Sequence, residues 1–272
     1  MKPVPEVISF YETFPEESRL SLGPFRLEFE RTKDVLVRVL PKPPGPVIDV
    51  GGAAGAYSAW LAEQGYEVHL LDASPRLIEE ARKINRTLAR PIASIDCADA
   101  RSLPAGDRVA AALLLMGPLY HLPEAADRLT ALAEGLRVLA PSGTIVVAAI
   151  SRYASALDGL ARKLSLDPAF VQIRDRDLVD GQHRNETNHP DYFTTAYFHR
   201  PEDLRAELEQ AGFQHVKVIG VEGPGWMLPD FEARWRDPAL RHDLLAVARA
   251  LECEPAIVGV SAHLLAFGRK PP

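Results

Sequence analysis

The chain has 272 residues, of which 47% are hydrophobic and 25% charged, so it can bury one large core or a core with a cap. Its net charge of −6 argues against broad contact with nucleic acid, which requires a positive field. No apolar stretch has the length of a signal peptide or of a bilayer span, so we expect a cytoplasmic protein without a membrane contact. The two cysteines, Cys97 and Cys253, form no disulfide framework and no cysteine-rich metal pattern.

The first predicted element is a helix over residues 24–40. Its apolar residues recur at helical spacing, at Leu27, Phe29, Val35, Leu36 and Leu40. The Pro-rich stretch 41–46 must end this helix because proline lacks a backbone donor. Residues 1–45 are therefore predicted to form an N-terminal helical segment.

From residue 46 to 150, short apolar runs alternate with longer amphipathic segments. Strands are predicted at 47–50, 67–71, 92–97, 109–115 and 144–150. Helices are predicted at 56–64, from Ser74 and Pro75 onward, and at 124–139, where Pro141, Ser142 and Gly143 end the helix. This alternation is typical of parallel strands joined by helical crossovers.

The alternation stops at residues 151–200, which include the polar and aromatic run HRNETNHPDYFTTAYFHR. We predict that this segment is a partly helical insertion that caps the sheet; a surface elaboration away from any ligand is the alternative. The alternation of helices and strands resumes in residues 201–272. Helices are predicted there at 201–211 and 237–252, and strands at 215–221 and 261–267.

The segment PVIDVGGAAGAYSAWLAEQGYEVHLLDAS, residues 46–74, has the most specific pattern. A strand ends near Asp49, a loop of small residues follows, and a helix begins near Ala56. Small residues allow a ligand close to the backbone, and the helix N-terminus offers free N–H groups. Asp72 ends the next strand, where a carboxylate can accept hydrogen bonds from both hydroxyls of a ribose. The pattern favours a nucleotide containing adenosine; an unliganded turn with Asp72 as a helix cap is the alternative.

These residues resemble the first motif of class I S-adenosylmethionine (SAM)-dependent methyltransferases, an acidic residue followed by Gly-x-Gly-x-Gly. Asp49, Gly51, Ala53 and Gly55 occupy its positions, and Ala53 replaces the middle glycine. The resemblance implies that SAM is the cofactor. It implies that Gly51, Gly52 and Gly55 line the site, that Asp49 orients the loop or the amino group, and that Asp72, beside Ala73, holds the ribose.

Two further segments strengthen the resemblance. DCADARSLP, residues 96–104, is similar to the family's segment after the third strand, which implies that Asp99 and the backbone of Ala100 face the adenine. Asp99 as a plain turn residue is the alternative. Residues 113–150 and 198–226 are similar to the later strands and helices. The implied fold is a Rossmann-like, seven-stranded, mostly parallel α/β sheet with helices on both faces and an inserted cap.

The residues after the fourth strand should lie where the methyl group is transferred, because ligands bind at the carboxyl ends of the strands. Met116 and Tyr120 are predicted to contact the cofactor. His121 is the leading candidate for a general base, followed by His189 and Tyr192, and then by Tyr197 and His199. Alternatively, Tyr120 and His121 could line the cofactor pocket without a catalytic role. The spacing of His183, His189 and His199 fits no usual metal pattern, so no metal is predicted.

Similar enzymes often fold an N-terminal helix over the cofactor. Tyr11, Arg19 or Arg31 could then contact it, the arginines by pairing with the methionine carboxylate. A solvated helix face is the alternative for these charges.

The predicted function is methyl transfer to a small-molecule acceptor. An RNA or protein methyltransferase fits less well because the chain is acidic and adds no binding domain. A nicotinamide-dependent oxidoreductase would need glycines where Ala53 and Ala56 stand. A SAM-binding protein without catalysis would share these motifs.

Overall fold

The protein is described by a computed structural model for residues 4–187 and 189–272. The helices are α1 (Pro5–Thr13), α2 (Glu16–Arg19), α3 (Phe25–Val39), α4 (Ala56–Glu63), α5 (Pro75–Asn85), α6 (Ala125–Val138), α7 (Ala154–Arg162), α8 (Pro168–Asp180), α9 (Pro201–Gln210), α10 (Phe231–Arg236) and α11 (Pro238–Leu251). The strands are β1 (Pro46–Val50), β2 (Glu67–Asp72), β3 (Ser94–Cys97), β4 (Ala110–Leu115), β5 (Leu139–Ser151), β6 (Gln182–His183), β7 (Ala196–His199), β8 (Gln214–Gly220) and β9 (His263–Arg269).

Seven strands form the central sheet in the order β3-β2-β1-β4-β5-β9-β8. The pairs from β3 to β5 are parallel, whereas β9 runs antiparallel to β5 and β8. Alternate residues of each strand face opposite sides: Leu113 and Leu115 pack toward α6 and α9, and Ala112 and Leu114 toward α3, α4 and α5. The predicted Rossmann-like sheet with helices on both faces is therefore confirmed. The sheet has nine strands rather than seven because β6 and β7, in the insertion, join it.

The strand β5 departs most from its predicted boundaries. Its pairing with β4 shifts register between Leu139 and Thr144, and Ser142 between them adopts a left-handed φ of 62°. Pro141 and Gly143 therefore form a bulge within the strand instead of a separate turn before it.

The insertion extends the sheet above the carboxyl end of β4. Since β9 occupies one edge of β5, β7 pairs with the opposite edge beyond the end of β4, at Ile150 and Ser151. The hairpin of β6 and β7 is thereby held over the region where ligands bind in open α/β sheets.

The N-terminal helices cross the same end of the sheet. Arg76 of α5 donates to the carbonyl oxygens of Tyr11 and Phe14, each at 2.7 Å, and to the carboxylate of Glu17 at 3.2 Å. At the far side, the Thr194 hydroxyl donates to the Glu6 carbonyl. The helices α1 and α2 thus bridge α5 and the insertion. Among the residues described, no helix combines the length and apolar character needed to cross a membrane.

Candidate active site

The loop after β1 has the close backbone approach expected from its small residues. Gly51 has a φ of +73°, and a Cβ placed there would lie 2.3 Å from Cδ of Pro118. Gly55, at a φ of +90°, caps the N-terminus of α4. Ala53 also adopts a left-handed conformation, with a φ of 50°. The alanine in place of the middle glycine therefore keeps the tight turn at a cost in backbone strain.

Asp72 lies at the end of β2 and fixes this loop. One carboxylate oxygen accepts from the Ala53 N–H at 2.9 Å, and the other from the Ser74 N–H at 2.8 Å. Burial raises the pKa of Asp72 to about 6. Each oxygen keeps further acceptor capacity, so the side chain can hold two ligand hydroxyls as well as the loop.

Asp49 lies beneath the loop and does not line a cavity. Its side chain is fully buried and accepts a hydrogen bond from the Ser58 hydroxyl at 2.7 Å. Burial raises the pKa of Asp49 to about 6. A Cβ at Gly52 would contact the Asp49 carboxylate at 2.8 Å. Asp49 therefore packs against the underside of the loop, and its role in orienting the loop stays a prediction.

Asp99 follows β3 and lies at the opposite wall. Its carboxylate accepts from the backbone and side chain of Arg101, with the shortest contact at 2.6 Å. Burial acts to raise the pKa of Asp99, but the hydrogen bonds from Arg101 outweigh it and lower the pKa. Asp99 is therefore held as a carboxylate in a fixed orientation.

These elements enclose a first cavity of about 240 Å³. The residues predicted to contact the cofactor line it, with the exceptions of Asp49 and Arg31: Tyr11, Arg19, Gly51, Gly52, Gly55, Asp72, Ala73, Asp99, Ala100, Met116 and Tyr120. His121 lines it too. The residues that the resemblance places at the cofactor thus surround one cavity, whereas Asp49, predicted to orient the loop or the amino group, lies beneath the loop.

A second cavity of about 580 Å³ adjoins the first. The two share Tyr11, Glu16, Arg19 and Tyr120, which therefore form their common wall. Aromatic side chains from the N-terminal segment, the insertion and the segment after β8 line the second cavity: Phe14, Phe25, Phe170, Tyr192, Phe193, Phe198 and Trp226.

Tyr11 and His121 meet at this common wall. The hydroxyl of Tyr11 lies 2.9 Å from Nε2 of His121, and Nδ1 lies 3.3 Å from the Thr195 carbonyl oxygen. Since a carbonyl only accepts, Nδ1 carries the proton and Nε2 accepts from Tyr11. Burial lowers the pKa of His121 to about 4 and raises that of Tyr11. Both groups are therefore neutral near pH 7, and His121 is a weaker base than the sequence suggested.

The other predicted catalytic residues are placed less favourably. His189 is exposed, lines neither cavity, stacks on Tyr192 and caps a short turn. Tyr192 lines the second cavity, but its hydroxyl donates to Asp167 at 2.6 Å. His199 is fully buried against Glu207 at 3.2 Å. Tyr197 is stacked under the Arg128 guanidinium, 3.7 Å from its ring centre. His189, Tyr197 and His199 therefore line neither cavity, and Tyr192 reaches the second cavity with its hydroxyl hydrogen already donated to Asp167.

The two arginines proposed for the methionine carboxylate are already paired. Arg19 donates from Nε to Glu16 at 2.8 Å and from both terminal nitrogens to Glu28 at 2.6 and 3.1 Å. Arg31 is 1% exposed and pairs with Asp34 and Glu252, away from both cavities. Arg31 is therefore structural, and Arg19 braces the common wall.

Glu28, Glu222 and His263 cluster below the second cavity, with potential ligand atoms within 4.8 Å of one another. Nδ1 of His263 lies 2.6 Å from Glu222, and Glu28 is paired with Arg19. Burial acts to lower the pKa of His263, but the carboxylates of Glu28 and Glu222 outweigh it and raise the pKa. Arg19 and His263 therefore already supply the positive charge that a metal ion would bring.

Comparison with known proteins gives the site its class. Residues 47–143 match a methyltransferase-domain family. The chain is 27% identical over 216 residues to a ubiquinone biosynthesis O-methyltransferase of Xylella fastidiosa (strain 9a5c), covering 78% of this chain and 76% of that one.

Solved structures share the fold. A SAM-dependent methyltransferase of Thermotoga maritima, described as a possible histamine N-methyltransferase, has a TM-score of 0.59 at 19% identity over 97% of this chain and 99% of that chain. The [4+2]-cyclase SpnF has a TM-score of 0.55 at 18% identity over 89% of this chain and 81% of that chain. The fold alone therefore does not name a reaction.

The domain match, the loop after β1 and the acids that end β2 and follow β3 together define an enzyme of the Rossmann-like, SAM-binding class. The match over residues 47–143 identifies a methyltransferase domain in this chain, and the protein is a SAM-dependent methyltransferase with SAM as its cofactor.

Sequence reasoning missed two residues of the site. Glu16 lines both cavities and holds Arg19; the i, i+3 spacing of these two residues was the available signal. Arg76 fastens the N-terminal helices through carbonyl oxygens, and no sequence pattern shows such contacts.

Proposed function

We propose that the protein transfers a methyl group from SAM to a nitrogen or oxygen atom of a small organic molecule bound in the second cavity. The observation that carries this proposal is the common wall of Tyr11, Glu16, Arg19 and Tyr120 between the two cavities. Methyl transfer needs the donor and the acceptor in line and close together, and adjoining cavities supply that arrangement.

The first cavity offers the donors and acceptors that SAM needs. Asp72 would hold the ribose hydroxyls, Asp99 and the Ala100 backbone would face the adenine, and the loop of Gly51, Gly52 and Gly55 would lie against the rest. The bound sulfonium supplies an already activated methyl group. The chain itself then mainly positions the acceptor and excludes water.

Tyr11 and His121 would orient the nucleophile. Because the Tyr11 hydroxyl donates a hydrogen bond to Nε2 of His121, its oxygen lone pairs remain free to accept a hydrogen bond from an O–H or N–H of the acceptor. That hydrogen bond would fix the direction of the nucleophile's own lone pair. His121 would act by holding Tyr11 in this orientation; with its pKa lowered to about 4 by burial, it is poorly suited to removing a proton in the resting enzyme.

The segment 151–200 would serve as the cap that selects the acceptor, and residues 1–45 would cover the cofactor. Aromatic walls from both segments suit an apolar or aromatic body of modest size. The similarity to a ubiquinone biosynthesis O-methyltransferase supports a small acceptor over RNA or protein. The acidic net charge favours the same choice.

The direct test is transfer of radiolabel from methyl-labelled SAM to a panel of small phenols and amines, with transfer RNA and total protein as competing acceptors. Label in a small molecule supports the proposal. Label found only in RNA or protein would favour an RNA or protein methyltransferase instead.

A pair of variants then tests the cap. Tyr192→Ala removes a wall of the second cavity and should raise KM for the acceptor about tenfold, while the Kd of SAM changes less than about twofold. Val179→Ala, at an exposed side chain of α8 that lines neither cavity, is the matched control and should leave both constants near those of the wild type. A fall in SAM affinity for Tyr192→Ala would mean that the insertion closes over the cofactor.

A further inference from the structure

The charges that face the second cavity do not balance. Five carboxylates border it or belong to the cluster beneath it: Glu16, Glu28, Glu222, Asp158 and Asp191. Among residues 4–187 and 189–272, three cationic side chains oppose them: Arg19, Arg162 and His263. His183 also lines the cavity, but it is paired with the fully buried Asp177 at 2.9 Å and adds nothing to the balance. The cavity therefore carries an excess of negative charge.

The excess is concentrated in two places. Near the common wall, Arg19 and His263 lie among the carboxylates of Glu16, Glu28 and Glu222. On the far wall, Arg162 of α7 is shared between Asp158 at 3.1 Å and Asp191 at 3.3 Å, so two carboxylates have one cation. Asp158, Arg162 and Asp191 line the second cavity and not the first.

Each of these three cations is already paired with carboxylates. Arg19 is held by Glu16 and Glu28, His263 by Glu222, and Arg162 by its two aspartates. A carboxylate or phosphate would add to the excess and would have to displace an existing pair. A positively charged ligand instead reduces the excess.

The aromatic lining favours the same sign. Phe170, Tyr192, Phe193 and Trp226 line the cavity, and an aromatic ring attracts a cation that lies over its face. Burial raises the pKa of Asp158, although Arg162 counteracts it, so a further cationic group beside Asp158 would stabilise its ionised form.

We propose that Asp158 and Asp191 form an ammonium-binding subsite, and that the acceptor is an amine with an apolar or aromatic body. This inference rests on the proposed function. The positive group lies at the far wall, and a second atom of the same molecule, neutral when it reacts, reaches Tyr11 at the common wall. Separation of the two atoms also keeps the ligand's charge away from the sulfonium of SAM.

The test is a calorimetric titration of the full chain saturated with S-adenosylhomocysteine, which lacks the sulfonium charge. Three probes of similar shape and different charge are compared: 2-phenylethylamine, 2-phenylethanol and 3-phenylpropionate. The amine is expected to bind about fivefold to tenfold more tightly than the alcohol, with the acid weakest. Equal affinities, tighter binding of the acid, or no binding of any probe at millimolar concentration would overturn the proposal.

Two variants that should change the preference for the amine in opposite directions test whether that preference arises at Asp158 and Asp191. The double replacement D158N with D191N should remove most of the preference for the amine, whereas Arg162→Gln should increase it because the competing cation is gone. Asp175→Asn, at an exposed carboxylate of α8 that lines neither cavity, is the matched control and should change nothing. Weaker amine binding in Arg162→Gln would contradict the proposal.

Failure here and failure of the proposed function are separable. SAM binding and label transfer are measured without the probes, so a chain that methylates only neutral or acidic acceptors would keep the function and lose the ammonium subsite.

Discussion

Replacement of Asp72 by alanine is expected to lower the affinity for SAM by about one to three decades, or roughly 1.4–4 kcal/mol. Two hydrogen bonds from ribose hydroxyls to one carboxylate are lost; each is worth about 1.5–3 kcal/mol by itself, and bonds that share a partner do not add in full. The variant also leaves the N–H groups of Ala53 and Ser74 without their acceptor, which loosens the loop after β1. Calorimetry with SAM measures the affinity, and circular dichroism shows whether the fold persists.

The matched control is Asp96→Ala, an exposed carboxylate on β3 that lines neither cavity. Its SAM affinity should equal that of the wild type. An unchanged affinity in a folded Asp72→Ala protein would show that the ribose is held elsewhere.

The pH dependence of SAM binding provides a second readout for Asp72. Because burial raises its pKa to about 6 in the free protein, the carboxylate is partly protonated below that pH and loses acceptor capacity. Ligand hydroxyls favour the ionised form, so SAM affinity should fall as the pH drops through about 6. Asp72→Asn should remove that part of the fall, and any remainder belongs to other groups such as Asp49, whose pKa burial also raises to about 6.

Replacement of Tyr11 by phenylalanine is expected to lower kcat about 100-fold, the loss expected when a reacting group is misplaced by about 1 Å. The ring remains in the common wall, so the Kd of SAM should change by less than about threefold, since no ligand hydroxyl depends on it. His121→Ala should lower kcat by a similar factor because Tyr11 then loses the acceptor that fixes its hydroxyl. Steady-state kinetics with an identified acceptor, beside SAM calorimetry, measures both constants.

The control for Tyr11→Phe is Tyr66→Phe, whose hydroxyl donates to the Pro41 carbonyl at 2.8 Å and lines neither cavity. A Tyr11→Phe enzyme with wild-type kcat would remove the proposed role of the hydroxyl. If the double variant of Tyr11 and His121 loses the product of the two single effects, the residues act independently rather than as a unit.

The α/β core could be predicted because each of its segments has a local signal. The continuous apolar run of β4 and the cap of Ser74 before Pro75 mark their elements without help from the rest of the fold. The bulge in β5 could not be predicted in this way. A Pro-Ser-Gly sequence usually ends an element, and only pairing with β4 and β9 carries the strand through it.

The cofactor side of the site was also accessible from the sequence, because the loop, Asp72 and Asp99 stand at fixed places relative to the strands. The acceptor side was not. No sequence pattern distinguishes His121 from His189 as a candidate base, yet His121 is buried against Tyr11 and His189 is exposed. The sequence suggested that Arg19 pairs with the methionine carboxylate of SAM. Its partners are instead Glu16 and Glu28, which only the folded N-terminal segment brings together.

The most direct test of the account is a pair of calorimetric titrations of the wild-type chain, one with SAM and one with NAD. The acids at β2 and after β3, the loop between Gly51 and Gly55 and the methyltransferase-domain match lead us to expect saturable binding of SAM at one site with a micromolar Kd and no saturable binding of NAD. Saturable binding of NAD with no heat from SAM would contradict the assignment.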